Sequence, residues 1–444
     1  MYNLTSNTKY LKMLTYGCQM NFSDAERMEG ELSKLGYVST EDMAKADLIM
    51  INTCCVRETA EDKVYGKIGE IKALKRENPD LILGITGCMA QKEGERLIKR
   101  APHIDFVLGT NKIHEVVATV KKLEESQVKH VVDTEINETE MPEDISIHRK
   151  TPLSAWVPIM YGCNNFCTYC IVPYVRGRER SRLPEEIIDE VREAVKQGYR
   201  EVTLLGQNVN SYGKDHQKAT FAELLSMVDR VDGIERVRYM TSHPKDLSDE
   251  VIDVIKNSQH ICNHFHLPVQ YGSNKILKAM NRVYTVEGYK DLVRKIRDAV
   301  PDASITTDLI VGFPGETEED FQELLQFLED IRYDQAYTFI YSKRSGTPAA
   351  EMENQVNDDV KHERLNRLME LQNKISLEKN VALKDRTVQV MVEGPSANDD
   401  KVWSGRTTTN KLVLWPYQGS EQPGDFVNVK ICQPQTWVLK GELE

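Results

Sequence analysis

The sequence predicts an α/β protein in three parts: an N-terminal open parallel α/β sheet, a partial (βα)6 barrel, and a small C-terminal β-barrel. Three features of the 444 residues point there. Short apolar runs alternate with charged helical stretches over residues 9–125; a longer strand–helix series runs over 149–379; and over 382–444 the pattern becomes short alternating strands separated by turn residues. The first two are patterns of parallel strands covered by helices. The third is the pattern of a small barrel.

Within 9–125 one unit repeats. YLKMLTY (10–16) reads as a strand, then come Gly17-Cys18 and a helix with Ser23 as its N-cap. LIMIN (48–52) is an uninterrupted apolar run, followed by Thr53-Cys54 and a charged helix from Glu58 to Lys75. LILGIT (81–86) leads to Gly87-Cys88 and a further helix, and FVLGT (106–110) to another. Cys18, Cys54 and Cys88 thus each follow a strand, about one strand–helix unit apart. Strand carboxyl ends in an open parallel sheet share one edge, where ligands bind, so three thiolates are expected to converge there. Three small buried core cysteines would produce the same spacing. Cys55 is expected to point away from Cys54 while the backbone stays extended, and so to be no ligand. Residues 126–148, in an acidic stretch without periodicity, read as a linker.

The second series offers six strands: 155–161, 201–206, 236–241, 264–269, 304–311 and 335–341, with helical stretches between them. A barrel-like domain of this kind places its site at the strand carboxyl ends. Directly after the first strand stands Gly162-Cys163-Asn-Asn-Phe-Cys167-Thr-Tyr-Cys170. Three thiolates at CxxxCxxC spacing can hold three corners of a cubane iron–sulfur cluster and leave the fourth iron open. Zinc is the competing reading. It needs a fourth ligand, and none follows at finger-like spacing. A long charged helix, about 357–380, leads to the tail, where Trp403 and Trp415 stack on bases or fill the barrel core.

Formal net charge is −12, so bulk attraction to nucleic acid is not expected. Nine cysteines without an export signal read as metal ligands or reactive thiols rather than disulfides; Cys262 and Cys432 read as core thiols. No run approaches the roughly 18 apolar residues of a membrane span. The expectation is a soluble cytoplasmic protein with no membrane partner.

The cysteine loop resembles that of radical S-adenosylmethionine (SAM) enzymes, and the chain from about residue 9 onward resembles the methylthiotransferase family. The matching landmarks are Tyr16-Gly-Cys-Gln-Met-Asn21, Asn52-Thr-Cys54 with Val56-Arg-Glu58, Gly87-Cys-Met-Ala-Gln91, and Arg176-Gly-Arg-Glu-Arg-Ser-Arg182. Further ones are His266-Leu-Pro-Val-Gln270 with Gly272-Ser273, Asp308-Leu-Ile-Val-Gly-Phe-Pro-Gly-Glu-Thr317 and Tyr341-Ser-Lys-Arg-Ser-Gly-Thr347. The tail resembles the TRAM domain, a small RNA-binding barrel. Gln-Met-Asn after Cys18 is similar to the branch that methylthiolates N6-isopentenyladenosine beside the tRNA anticodon. The branches acting on a ribosomal-protein aspartate or on threonylcarbamoyladenosine carry other residues there, and remain the alternatives, as does a non-catalytic zinc-type nucleic-acid-binding module.

The resemblance implies two [4Fe-4S] clusters, on Cys18, Cys54 and Cys88 and on Cys163, Cys167 and Cys170, and two SAM molecules per turnover. One SAM is the methyl donor and the other the source of a 5′-deoxyadenosyl radical. It further implies that Tyr169, Gly206, Gln207, Asn208, Gln270, Ser273, Gly312 and Gly315 line the SAM site, although the glycine pair also reads as a plain turn. Arg176, Arg178, Arg180 and Arg182 form a local cationic run that reads as an RNA contact or as a solvated charged face. The implied partners are a tRNA anticodon loop, an electron donor such as flavodoxin or ferredoxin, and a sulfur source.

Overall fold

The computed structural model describes residues 8–55, 58–137, 146–150 and 153–444. Six parallel strands make the N-terminal sheet: β1 (Lys9–Thr15), β2 (Tyr37–Ser39), β3 (Leu48–Thr53), β4 (Ile82–Thr86), β5 (Phe106–Leu108) and β6 (Val131–Asp133), in the order β2-β1-β3-β4-β5-β6. All six residues of β3 are buried. Ile49 and Ile51 enter one apolar cluster, Leu48 and Met50 the other. Alternation along a strand covered on both faces requires that division. The helices relevant below are α1 (Gln19–Ser33), α2 (Glu58–Glu77) and α3 (Gly87–Glu93).

Two edge strands were not legible beforehand. β2 and β6 are each three residues long and carry little apolar signal. β6 lies inside the stretch expected to be a linker, where it pairs Phe106 with Val131. The end of that stretch is docked as well: His148 N donates to Glu26 O at 2.9 Å, and Lys150 Nζ lies 2.6 Å from Glu29. Residues 138–145, together with Val56 and Arg57 of the sequence landmarks, lie outside the described residues.

The chain divides into two compact units. The first takes the described residues up to Lys150 together with Tyr161–Asn165 and Ile171–Arg180, so both flanks of the CxxxCxxC loop pack with the N-terminal sheet. The second holds Thr151–Met160, Phe166–Cys170 and Ser181–Glu444.

In the second unit the six expected strands are present and parallel. Ser154–Pro158, Glu201–Leu205 and Arg236–Tyr239 form one sheet; His264–His266, Ser304–Val311 and Gln335–Ile340 form another. An isolated parallel bridge, Val237 to Ile261, connects the series. The C-terminal tail closes into a five-stranded barrel. Arginines on the parallel strands reach its backbone: Arg236 donates to Arg406 O and Arg238 to Thr407 O, both at 2.8 Å. No helix among the described residues is long and apolar enough to cross a membrane.

Candidate functional site

Cys18, Cys54 and Cys88 follow β1, β3 and β4, three neighbouring strands whose carboxyl ends share one edge. Cys18 is the N-cap of α1. Gly17 has φ +122°, and a Cβ there would fall 2.6 Å from Cys54 Cβ, so the first two loops meet where only glycine fits. A parallel bridge joins Thr53 to Gly87, which places the third loop beside the second. Asn21 Nδ2 donates to Tyr16 O and Thr53 O, both at 2.9 Å, and Asn52 Nδ2 donates to Asn21 O at 2.6 Å. Two asparagines therefore splice the Cys18 and Cys54 loops, and the Thr53–Gly87 bridge ties in the Cys88 loop. Cys54 and Cys88 are buried and Cys18 is exposed.

Cys55 is buried, packs with Cys88, Ile171 and Val175, and shares a hydrogen bond with Cys88.

Arg176 also lies here rather than on an RNA face. It is 3% exposed. Its Nη2 donates to Asn21 Oδ1 at 2.8 Å and to Asp24 Oδ2 at 2.9 Å; Asn21 Oδ1 also accepts from Cys18 Sγ at 3.7 Å. The hydrogen bond with Cys55 is the main influence drawing the Cys88 thiol down to about 6; Arg176 adds to it, and burial opposes both. The same hydrogen bond, then burial, pushes Cys55 up. Burial lifts Asp24 against the pull of Arg176, while Arg176 stays charged because Asp24, Cys88 and Cys18 outweigh its own burial.

Among the described residues, no three His, Cys, Asp or Glu side chains are set to hold one metal ion. A cluster differs from a single zinc in this respect, since each thiolate binds its own iron and the sulfurs stand a cluster's width apart. Three thiols on separate loops beside a buried cation fit that donor set.

The CxxxCxxC loop is held tightly. In the first unit, Gly162 has φ +74° and a Cβ would fall 2.0 Å from Arg178 O. Cys163 N donates to Gly177 O at 3.1 Å, and Asn165 Nδ2 to Cys163 Sγ at 3.4 Å. In the second unit, Phe166 adopts φ +47° and Thr168 N donates to Met280 O at 3.1 Å. Arg282, 7% exposed, donates from Nη1 to Cys167 Sγ at 3.3 Å, from Nε to Tyr284 Oη at 2.7 Å, and from Nη2 to Pro268 O. Spacing gave no signal for Arg282, which stands 115 residues from Cys167. Burial raises the Tyr169 phenol well above its ordinary range, against the pull of Arg282.

The residues expected around SAM separate into two groups. Tyr169 and Gln270 belong with Cys167: Tyr284 Oη, bonded to Arg282, also donates to Val269 O at 2.9 Å, and Gln270 holds φ +73°, a conformation that marks strain in a residue with a Cβ. Asn208 joins the same neighbourhood through His243, whose N–H donates to Asn208 Oδ1 at 3.0 Å and whose ring Arg282 influences. Gly206 is packed on Met160, 2.6 Å from where its Cβ would stand, and Gln207 beside it is half-buried. Ser273, Gly312 and Gly315 form the second group. Ser273 Oγ donates to Asp320 Oδ1 at 3.1 Å. Gly312 and Gly315 have φ +74° and +82° in a turn closed by Glu316 Oε2, which accepts from Gly312 N and Phe313 N. Lys361 fills the space beside Gly312.

The arginine run is not a surface patch. Arg180 is buried and donates to Asn137 O and Asn111 Oδ1. Arg182 is buried in the second unit and pairs with Glu190 at 2.6 Å; of the four, Arg178 is the exposed one. Helix and loop packing buries side chains whose charge alone suggested solvent. Trp415 is fully buried, its Nε1 donating to Glu421, and Trp403 stacks on Tyr417 with centroids 4.3 Å apart. Both are core residues. The exposed tryptophan is Trp437, at a polar cavity of about 190 Å³ that it lines with Tyr337, Arg406 and Lys411. Cys262 is buried as expected, whereas Cys432 is exposed.

Comparison with known proteins gives three family matches: the Radical SAM superfamily over residues 157–328, the Uncharacterized protein family UPF0004 over 10–109, and the TRAM domain over 383–443. A tRNA-2-methylthio-N(6)-dimethylallyladenosine synthase of Desulforamulus reducens is 52% identical, with 100% of this chain and 97% of that protein covered. One of Carboxydothermus hydrogenoformans is 54% identical, covering 97% and 98%. Among solved structures, the radical S-adenosylmethionine methyltransferase TsrM from Kitasatospora setae matches with a TM-score of 0.57 at 13% identity, over 77% of this chain and 75% of that one, a likeness of fold. With near-full-length relatives at this identity, the chain belongs to the tRNA-2-methylthio-N(6)-dimethylallyladenosine synthase family of radical SAM methylthiotransferases.

Proposed function

We propose that the protein adds a methylthio group to C2 of N6-isopentenyladenosine at position 37 of tRNA, in the cytoplasm, using two SAM molecules per turnover. Cys163, Cys167 and Cys170 hold the cluster that engages SAM; Cys18, Cys54 and Cys88 hold the second. The observation that carries this reading is a second cysteine site on its own sheet edge, with its own buried arginine, in a chain that already has the CxxxCxxC loop. An enzyme needing only the radical would have no use for it.

When bound, the SAM-engaging cluster supplies the electron that cleaves SAM to a carbon-centred radical, chemistry that side chains lack. The protein's share is placement and charge. Arg282 donates to Cys167 and offsets negative charge at the motif thiolates. The buried phenol of Tyr169 is held in its protonated form. Three cysteines at each site would supply three thiolate ligands to a cluster, a donor set that fits a [4Fe-4S] group. An anticodon-loop base is already partly unstacked, so presenting it costs less than flipping one from a duplex. A flavodoxin- or ferredoxin-type donor and a sulfur source complete the reaction.

Nucleoside mass spectrometry of tRNA from a strain deleted for this protein tests the reading. The 2-methylthio derivative should vanish, isopentenyladenosine should accumulate, and the wild-type chain should restore the product. Persistence of the methylthio nucleoside in the deletion strain would refute it. Anaerobic reconstitution should load about eight irons per chain, and fewer than about six would refute the two-cluster assignment.

A further inference from the structure

We propose that Arg176 is a positioning residue of the N-terminal cysteine site, held by Asn21 and Asp24 beside the loops of Cys18 and Cys54, and that its charge sets the redox level of the cluster that Cys18, Cys54 and Cys88 would hold. The inference rests on the proposed assignment of that cluster.

Three thiolates bring negative charge into a place where Cys54 and Cys88 are buried, and buried charge is costly unless paired and hydrogen-bonded. Arg176 reaches that place through Asn21, whose Oδ1 accepts from both Arg176 Nη2 at 2.8 Å and Cys18 Sγ at 3.7 Å. It comes from Ile171–Arg180, packed in the same unit as the sheet, and its side chain and that of Asp24 are each 3% exposed. The planar fork suits this place better than an ammonium would, because it can bond a carboxylate and an amide oxygen at once. Asn21 makes the arrangement rigid. The same side chain that receives Arg176 at Oδ1 donates to Tyr16 O and Thr53 O, so the guanidinium is registered to the loops bearing Cys18 and Cys54.

Reduction of the cluster adds negative charge, which a nearby cation favours and a nearby carboxylate opposes. Arg176 and Asp24 are partners in one ion pair, and because their charges are opposite they act on a nearby cluster with opposite sign. That opposition separates an electrostatic role from a structural one, because loosening the pair from either side would disturb packing in the same way.

The experiment uses the full chain with Cys163, Cys167 and Cys170 replaced by Ala, so that only the N-terminal cluster is loaded, and reads its midpoint by EPR-monitored titration. Arg176→Gln should shift the one-electron equilibrium at least tenfold toward the oxidised form, about 59 mV more negative. Asp24→Asn should shift it toward the reduced form, and Arg176→Lys should stay nearer the parent than Arg176→Gln. Unchanged midpoints, or shifts of the same sign in R176Q and D24N, overturn the proposal. If R176Q does not load, D24N and R176K decide, and a D24N midpoint that fails to rise overturns it. A parent chain that loads no cluster refutes the proposed cysteine assignment instead, so the two failures are distinguishable.

Discussion

Substituting Gly87 with Ala asks how closely the three cysteine loops depend on one another. At this position φ is +85°, and a Cβ would fall 2.4 Å from Thr53 O, 2.4 Å from Asn52 Oδ1 and 2.8 Å from Thr53 N. Two of these are backbone atoms and cannot swing away. The left-handed backbone costs an alanine about 1–2 kcal/mol, and forcing a methyl into a filled space about 1–3 kcal/mol more. A loss near 3 kcal/mol follows, roughly 6–12 °C in the melting temperature of a unit of this size. Asn52 and Thr53 lead into Cys54 and accept or donate the bonds that fix Asn21 beside Cys18, so the displacement should reach all three thiols. Iron per reconstituted chain should fall from about eight toward about four. Gly36→Ala is the control: φ is +82° with nothing within 4 Å, so only the backbone cost of about 1–2 kcal/mol applies and iron content should hold. Scanning calorimetry of the metal-free chains with iron assay of the loaded ones measures both. If G87A melts with G36A and keeps its iron, the spliced-loop account is wrong.

Burial draws His243 down to about 2 and His264 to about 3. Both are therefore neutral when folded, and their stabilising contribution is present above about pH 6.5 and lost as pH falls toward the folded values. At pH 5.5 each costs about 1.4 kcal/mol, so urea midpoints should drop between pH 7.5 and 5.5, and less in a His264→Gln chain; an identical drop in that variant would contradict the assignment. Arg282→Met removes the donor to Cys167 and should weaken retention of the motif cluster by about 1.5–3 kcal/mol, with partial recovery in R282K, read as iron retained after gel filtration. Full retention in R282M would rule the contact out. Trp415→Ala should cost about 3–5 kcal/mol of stability. Trp437, exposed on the TRAM domain, is placed to stack on a base: Trp437→Ala should leave stability within about 0.5 kcal/mol and weaken tRNA binding at fixed salt by about 1–3 kcal/mol, and wild-type binding by W437A would show that Trp437 does not stack on tRNA.

The two cysteine sites share a plan. At each, a cysteine loop is pinned by a buried arginine that also bonds backbone or amide oxygens, Arg176 through Asn21 beside Cys18 and Arg282 at Cys167. Both arginines are too far in sequence from the sulfurs for a spacing rule to find them.

What the sequence by itself determined is what repeats locally. Two-sided apolar runs specify buried parallel strands, a thiol just after each of three such runs specifies a shared edge, and CxxxCxxC specifies a loop, because each depends on periodicity over a few residues. Short edge strands such as Val131–Asp133 escaped, since three half-buried residues in a polar stretch carry too little pattern. Only the tertiary structure decided which charges are buried. Arg176, Arg180 and Arg182 read as a cationic surface in one dimension, and their partners Asp24, Asn111 and Glu190 come from elsewhere in the chain. The same holds for Cys55, which packs against Ile171 and Val175 from far along the chain, and for Trp403 and Trp415, which barrel closure turns inward. Burial and partner choice are sums over distant segments, and they exist only once the chain has folded.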